Sequence, residues 1–584
     1  MRYLLLLFAF IVFLGSKAQQ TPFETGNGNT TATYDECIKF YRDLDAAHKT
    51  VKMYSYGQTD AGKPLHLVVV ANKELPGQGL LQPFIKKEKE THNKAVFLVM
   101  NGIHPGEPCG IDASMMLARD LAKSKSKMLD DIIVCFIPVY NVGGMLNRDA
   151  YSRANQDGPE EHGFRGNAQN LDLNRDFIKA DSKNTWAFWE LFHEWKPDVF
   201  LDNHTTNGSD HQYTMTLITS QKDKQNEGVK DYLQTMEPML YSKMKERGDE
   251  MSPYINVHGE PVDDHFEGFL ETPRYSTGYT TLFGTVSFVA EAHMLKQFKD
   301  RVNSTYRLME VFLETIKATK FDLMKRHLKT ITHENQLKQW PIYWELDKTK
   351  FETINFKGFE AEWSTSPITG QKRYTFNHDK PFTKEIKFYN TYLATKFANK
   401  PFAYIIPQGQ NEVIVRLKAN HCLLRQLSNN TKLQVQYSKI IEFDTRKQPY
   451  EGHYQHFDTK VEIDSAEITF QAGDYVLLLP NRFAIETLEH EAHDAFFNWN
   501  FFDSYLQQKE WFSSYVFEDM AVEILENDAE LKTAFETKKA NDENFKNSAF
   551  AQLYYIYQHS PYYEEEHMRM PVFKLMEMKD LNLY

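Results

Sequence analysis

Cysteine is scarce in this chain: 584 residues carry only four, Cys37, Cys109, Cys135 and Cys422. That is too few for a disulfide scaffold, and Cys135, inside the apolar run 132–139, is expected to be plain buried core. Positive charge is in deficit as well. The formal net charge is −13, which argues against any general affinity for nucleic acid or an anionic membrane surface. Beyond the first residues there is no apolar run long enough to span a bilayer. A phosphate-binding P-loop, a Gly-rich dinucleotide fingerprint and a serine nucleophile elbow are all missing. Repeats and low-complexity tracts are missing too, and no feature specifies an oligomer.

What is there begins at the first residues. Arg2 precedes an almost unbroken apolar run from Leu4 to Leu14, and Ser16-Lys17-Ala18 supplies small residues where a signal peptidase reads. Polar Gln19-Gln20-Thr21 follows. The pattern predicts a cleaved signal peptide over residues 1–18 and a periplasmic or secreted destination. The apolar fraction of 41% and the aromatic fraction of 14% are those of a globular protein. The length suits two or three domains.

Residues 19–330 read as an α/β domain in which short apolar runs alternate with amphipathic segments. Strands are expected at 65–71, 96–101, 132–139, 199–203, 213–218 and 285–290. Ser182 is placed to cap a helix whose Trp186, Trp189, Phe192 and Trp195 recur at near-helical spacing, with Pro197 closing it. A second long helix is expected over 295–325. From 340 to 480 the texture turns β-rich and sandwich-like. Thr431–Tyr437 alternates strictly, and 413–417, 461–463 and 475–479 also look strand-like. Residues 481–584 read as a helical region with solvated acidic faces.

Chemistry-bearing residues gather where strands end. Asn101-Gly102-Ile103-His104-Pro105-Gly106-Glu107 is a strand running into a turn that offers an imidazole and a carboxylate three residues apart. Both are good Zn²⁺ ligands, and catalytic zinc takes three protein ligands plus water. Open α/β sheets bind ligands beyond the carboxyl ends of their strands, which is where this pair falls. His204 ends the apolar strand 199–203 and is the third ligand candidate. Glu291 ends the run 287–290, an isolated carboxylate on an apolar strand. H-x-x-E alone is a weak pattern. His490-Glu491-Ala492-His493 spaces its histidines three apart, not the four that a zincin helix needs. His453 and His456 are expected to be ordinary satisfied or exposed histidines, and nothing separates His211, His258 and His265 from surface placement.

Taken in order, His104, Glu107, Arg165, Asn174-Arg175, His204 and Glu291 resemble the zinc carboxypeptidase family. Asn170-Leu171-Asp172-Leu173-Asn174-Arg175-Asp176-Phe177 is similar to that family's D-L-N-R signature. The resemblance covers about residues 35–320. It implies a mixed-sheet catalytic domain, one Zn²⁺ on His104, Glu107 and His204, and Glu291 as general base and acid. It further implies Arg165 as the oxyanion stabiliser, with Arg153 as the alternative. Asn174 and Arg175 would hold the terminal carboxylate of a peptide substrate. Tyr279 or Tyr275 would stand for the tyrosine that folds over the substrate, with Tyr279 chosen. His204 is followed by Thr205-Thr206-Asn207 instead of the family's usual Ser-Tyr, a departure that bears on side-chain preference. The activity so implied is removal of C-terminal residues from peptides outside the cytoplasm. The alternatives are action on cell-wall or D-amino-acid peptides, or an inactive peptidase fold used for binding.

Overall fold

The computed structural model describes residues 19–124, 126–510 and 512–584. The signal peptide expected over 1–18 lies outside the described residues. All four cysteines are free thiols.

An eight-stranded sheet organises the first half of the chain. Its strands are β1 (Val51–Gln58), β2 (Pro64–Val70), β3 (Ala95–Asn101), β4 (Ile132–Ile137), β5 (Val199–Thr206), β6 (Met215–Thr219), β7 (Ser252–Pro253) and β8 (Val286–His293). The spatial order is β1-β2-β4-β3-β5-β8-β6-β7. Within it β4, β3, β5 and β8 run parallel, while β2 and β6 join this centre antiparallel. The central strands are near-continuous Val/Ile/Leu/Phe runs, as strands covered on both faces must be. Register then fixes the site. Asn101 of β3 lies opposite Asn203 of β5, and Glu291 of β8 lies opposite His204. The ends of three adjacent strands therefore coincide.

Alternate residues of these strands enter two different cores. One face (Val68, Phe97, Val99, Val134, Leu201, Phe288) packs under helices Tyr34–Ala47, Cys109–Ser124, Glu227–Glu246 and Phe298–Gln336. The last of these is longer than the sequence pattern suggests. The other face (Leu67, Val69, Leu98, Ile133, Cys135, Phe200) packs under helix Lys183–Trp195. Ser182 caps that helix, its Oγ accepting from Thr185 N at 3.2 Å, and Lys196 closes it in the left-handed region at φ 45°. Trp189 and Trp195 are completely buried there. Each such side chain contributes roughly 1.5–3 kcal/mol through removal from water.

This second core does not stop at the catalytic half: Tyr404, Ile406, Leu417, Phe483 and Trp499 belong to it as well. The later strands form a three-stranded sheet of Glu352–Thr365, Lys372–Tyr389 and the short His265–Glu267, and a pair of Gln339–Leu346 with Tyr392–Asn399. A six-stranded sheet completes the region. Two features differ from the sequence reading. Residues 413–417 are helical, within Asn411–Ala419, because Val413, Ile414 and Leu417 bury on one helix face while Val415 stays exposed. Their β-branched run looks strand-like, but packing overrides a weak local preference. The C-terminal region also supplies a strand, Arg569–Leu575, inserted between Ala403–Ile406 and Thr431–Thr445 in the six-stranded sheet.

No helix among the described residues is long and apolar enough to cross a membrane.

Candidate metal centre and cleft

Where β3 ends, Gly102 takes φ +62°, a conformation that suits glycine, and the chain turns to present His104 and Glu107. Helix Cys109–Ser124 then starts flush against β5. A Cβ on Gly110 would sit 2.4 Å from Cβ of Asn203, so only glycine permits that approach. Asn203 Nδ2 donates to Asn101 Oδ1 at 2.8 Å, and Asn101 Nδ2 donates to Ile137 O at 3.0 Å, tying the strand ends together.

His104, Glu107 and His204 are all buried, with one ligand atom from each lying within 4.8 Å of the others. Among the described residues this is the one His/Cys/Asp/Glu group that could hold a metal. Both imidazoles turn Nδ1 to the shared carboxylate: His104 Nδ1 is 3.3 Å from Glu107 Oε1, and His204 Nδ1 is 3.1 Å from Oε2. Behind each ring a carboxylate faces Nε2. Asp172 Oδ1 lies 2.9 Å from that of His104, and Asp202 Oδ2 lies 3.1 Å from that of His204. Ser276 Oγ donates to Asp202 at 2.6 Å. This carboxylate–imidazole arrangement is how proteins orient metal-binding histidines and fix their tautomer. The donor set therefore fits Zn²⁺, which favours two imidazoles and a carboxylate with a position left open.

The electrostatics agree with a cation site. Burial works to raise the Glu107 carboxyl, but His104, Arg153 and the His204 hydrogen bond outweigh it and hold it well below the usual range. Burial works to lower His204, yet Asp202 and Glu107 drive it well above the ordinary histidine value. Glu291 behaves oppositely: burial first, with Glu107 and Asp202 adding, pushes it up to about 8. Its carboxylate makes no hydrogen bond among the described residues. A carboxylate so placed is a proton acceptor tuned toward neutrality.

A cleft of about 290 Å³ opens in front of these groups and is lined also by Arg153, Arg165, Asn174, Arg175, Tyr254, His258, Phe269, Tyr275 and Val289. The two arginine candidates differ in what their guanidinium does. Arg153 is committed to structure: Nη1 donates to Glu107 Oε1 at 2.8 Å, Nη2 to Thr205 O at 3.1 Å and Nε to Gln156 at 2.7 Å. Arg165 is forked onto Asp172 Oδ2 through Nε and Nη2. Its Nη1 lies 3.4 Å from His104 Nδ1, on a side chain 46% exposed to the cleft. Asn174 has a buried Oδ1 with no partner among the described residues. Arg175 lies with Cζ 4.7 Å from the Tyr275 ring centre, its Nη1 donating to Asn174 O at 2.8 Å.

Tyr279 does not belong to the cleft, and its choice over Tyr275 is corrected. Its ring is fully buried against Trp189, Phe192 and Phe283, and its hydroxyl donates to Asn420 at 2.6 Å. Tyr275 is the N-cap of the short helix Ser276–Thr280, held in an extended conformation that turns it to the cleft, whereas Tyr279 lies within the helix and faces the core. The histidines set aside from the sequence have other partners. His453 Nε2 is 2.7 Å from Asp181, His456 Nε2 is 3.1 Å from Asp503, and His493 stacks on Tyr343. His258 lines the cleft. The sequence reading overlooked Asp172 and Asp202. A signal existed for each: Asp202 and His204 are two apart on one strand and so share a face, and Asp172 opens the D-L-N-R motif.

Residues 37–260 match the family model of the zinc carboxypeptidases. The match takes in His104, Glu107, Arg165, Asn174, Arg175 and His204; Glu291 lies beyond it. No curated protein sequence matches the chain. Among solved structures, a metallo-carboxypeptidase from Burkholderia cenocepacia is similar at 15% identity, over 48% of this chain and 69% of that one, with TM-score 0.36. A metallo-carboxypeptidase from Pseudomonas aeruginosa is similar at 14% identity, over 50% and 70%, with TM-score 0.36. Carboxypeptidase A from Helicoverpa armigera is similar at 11% identity, over 50% and 74%, with TM-score 0.37.

Proposed function

We propose that this chain is a zinc-dependent metallocarboxypeptidase that removes C-terminal residues from peptides outside the cytoplasm. One observation carries the reading: a two-histidine, one-carboxylate metal set, a free carboxylate beside it and an Asn-Arg pair all line one cleft of peptide-end size. His104, Glu107 and His204 hold the metal. Zn²⁺ in that set supplies Lewis acidity, polarising the scissile carbonyl and making a water acidic enough to attack at neutral pH.

The remaining work falls to the chain's own groups. Glu291 accepts the attacking water's proton on its carboxylate and delivers it to the departing amine nitrogen. Arg165 offers Nη1 to the oxygen on which negative charge develops, a fixed cation that costs no reorganisation. Asn174 and Arg175 bind the terminal carboxylate, Arg175 as a planar fork, and so confine cleavage to a chain end. Tyr275, Phe269 and Val289 present apolar surface for the last side chain. Export by the signal peptide at 1–18 puts this activity outside the cytoplasm.

The test is mass spectrometry of products from peptides ending in L- or D-residues, with and without a zinc chelator. Single-residue loss from free L-termini, abolished by chelation and restored by zinc, is expected. Cleavage of D-terminated peptides alone would move the substrate to cell-wall-type peptides. Internal cleavage products would overturn the exopeptidase reading.

A further inference from the structure

The residue that reads the substrate's end is itself held from far away in sequence. Arg175 Nε donates to the hydroxyl of Tyr450 at 3.0 Å, and Nη1 donates to Asn174 O. Nη2 makes no hydrogen bond among the described residues. The next residue of the same loop does a parallel job. Glu451 Oε2 accepts the backbone N–H of Asp172 at 2.7 Å, and Asp172 is the carboxylate behind His104. Both contacts come from one loop, 446–455, at the tip of the hairpin formed by Thr431–Thr445 and His456–Phe470.

That loop is shaped for the purpose. Tyr450 and His453 pair with each other across a tight turn, N···O 2.7 and 3.1 Å. Glu451 and Gly452 occupy the two central positions at φ +50° and +82°. Such a turn prefers Asn, Asp or Gly at its first central position. A glutamate there adopts a backbone that L-residues avoid. Strain of this kind persists where surrounding contacts over-determine it, and here the contact is the hydrogen bond to Asp172. Tyr450 is fixed in its turn: its ring stacks near Trp499, with the Arg446 guanidinium 5.0 Å from its centre. Arg274 lies over Trp499 and is tied to buried Asp494.

We propose that the 446–455 loop is a positioning element of the carboxylate subsite, with Tyr450 aiming Arg175 and Glu451 setting the Asp172 segment that carries both Asn174 and the brace of His104. With Nε–H on Tyr450 and one Nη1–H on Asn174 O, the hydrogens left for a ligand are those of Nη2 and the second of Nη1, so the hydroxyl of Tyr450 selects which edge of the fork meets the substrate. The metal-site half and the carboxylate-reading half of the cleft are thereby linked through one hairpin of the β-rich region. This rests on the carboxypeptidase reading above for the identity of the ligand.

The test compares wild type with Tyr450→Phe, which keeps the ring and its stacking and removes only the acceptor. Binding of N-acetyl-L-phenylalanine and of its amide is measured by calorimetry, alongside peptide hydrolysis. The expected result is a carboxylate-over-amide preference in wild type that falls about 10- to 150-fold in the variant, the range of one lost hydrogen bond to a charged group. KM should rise by a similar factor while kcat stays within about twofold, as for lost uniform binding. Glu451→Ala should weaken zinc retention against a chromophoric chelator, and Glu451→Gln, which keeps an acceptor, should recover most of that loss. Unchanged preference and KM in Tyr450→Phe would overturn the inference while leaving the proposed activity intact. Carboxylate preference in a wild type that cleaves nothing would do the reverse. No preference in wild type would overturn the inference outright.

Discussion

Asp202 touches no substrate in this account, yet it governs how His204 faces the metal. Its Oδ2 lies 3.1 Å from Nε2 and is itself fixed by Ser276. Asp202→Asn keeps the shape and removes the charge, so zinc affinity should drop about 10- to 100-fold, the usual effect of such partners; competition with a fluorescent chelator measures it. Arg165 and Arg153 are separable in the same spirit. Arg153→Lys cannot span Glu107 and Thr205 together and should cost zinc affinity. Arg165→Lys should leave zinc in place and lower kcat, because Arg165 is the more exposed of the two and is not hydrogen-bonded to Glu107, as Arg153 is. If both variants lose zinc and neither loses kcat, the division of labour is wrong. These roles show what sequence reveals at a single position. The ligand types at His104, Glu107 and His204 are legible from chemistry and strand ends. Tyr279 and Tyr275 are indistinguishable in composition, and what separates them is that Tyr275 stands outside the short helix as its extended cap while Tyr279 lies within it.

Strands and helices set the site by register, and two of them yield stability predictions. Helix Lys183–Trp195 buries Trp189 completely against Phe483 and Tyr279. Trp189→Ala should destabilise the protein by about 3–5 kcal/mol through the cavity left behind, read as a lower denaturant midpoint. On helix Cys109–Ser124, Asp112 is fully buried and holds Thr31 and the backbone of Ala32. Burial pushes its carboxyl up to about 7 from 3.8. The folded state thus binds that proton more tightly than the unfolded chain. Stability should therefore fall as pH rises from about 4 through about 7, then level off. Glu486, raised by burial to about 7, acts in the same sense. Asp112→Asn should flatten part of that slope in urea titrations; an unchanged slope would contradict the assignment. The parallel strands announce themselves as apolar runs. The helix Asn411–Ala419 does not, because its consecutive β-branched residues Val413, Ile414 and Val415 look strand-like and only the packing of Val413, Ile414 and Leu417 decides.

The two halves of the chain share one core, and the later half also braces the cleft from behind. The sheet face carrying Leu67, Leu98 and Phe200 has Tyr404, Leu417 and Phe483 in the same cluster, and the Tyr450 loop reaches Arg175. A chain ending at Gln336 would expose that apolar face and should aggregate or bind a hydrophobic dye, not persist as a small soluble peptidase. This long-range dependence is the part least visible in sequence, since nothing local to 446–455 speaks of a partner some 275 positions away. The central claim remains the zinc-hydrolase chemistry at the strand ends. It is tested most directly by zinc content together with peptide hydrolysis, measured on wild type and on Glu291→Gln. The account predicts one zinc per chain in both proteins, with hydrolysis lowered about 10²- to 10⁴-fold in the variant alone. Folded wild type that holds no zinc and releases no C-terminal residue would contradict it.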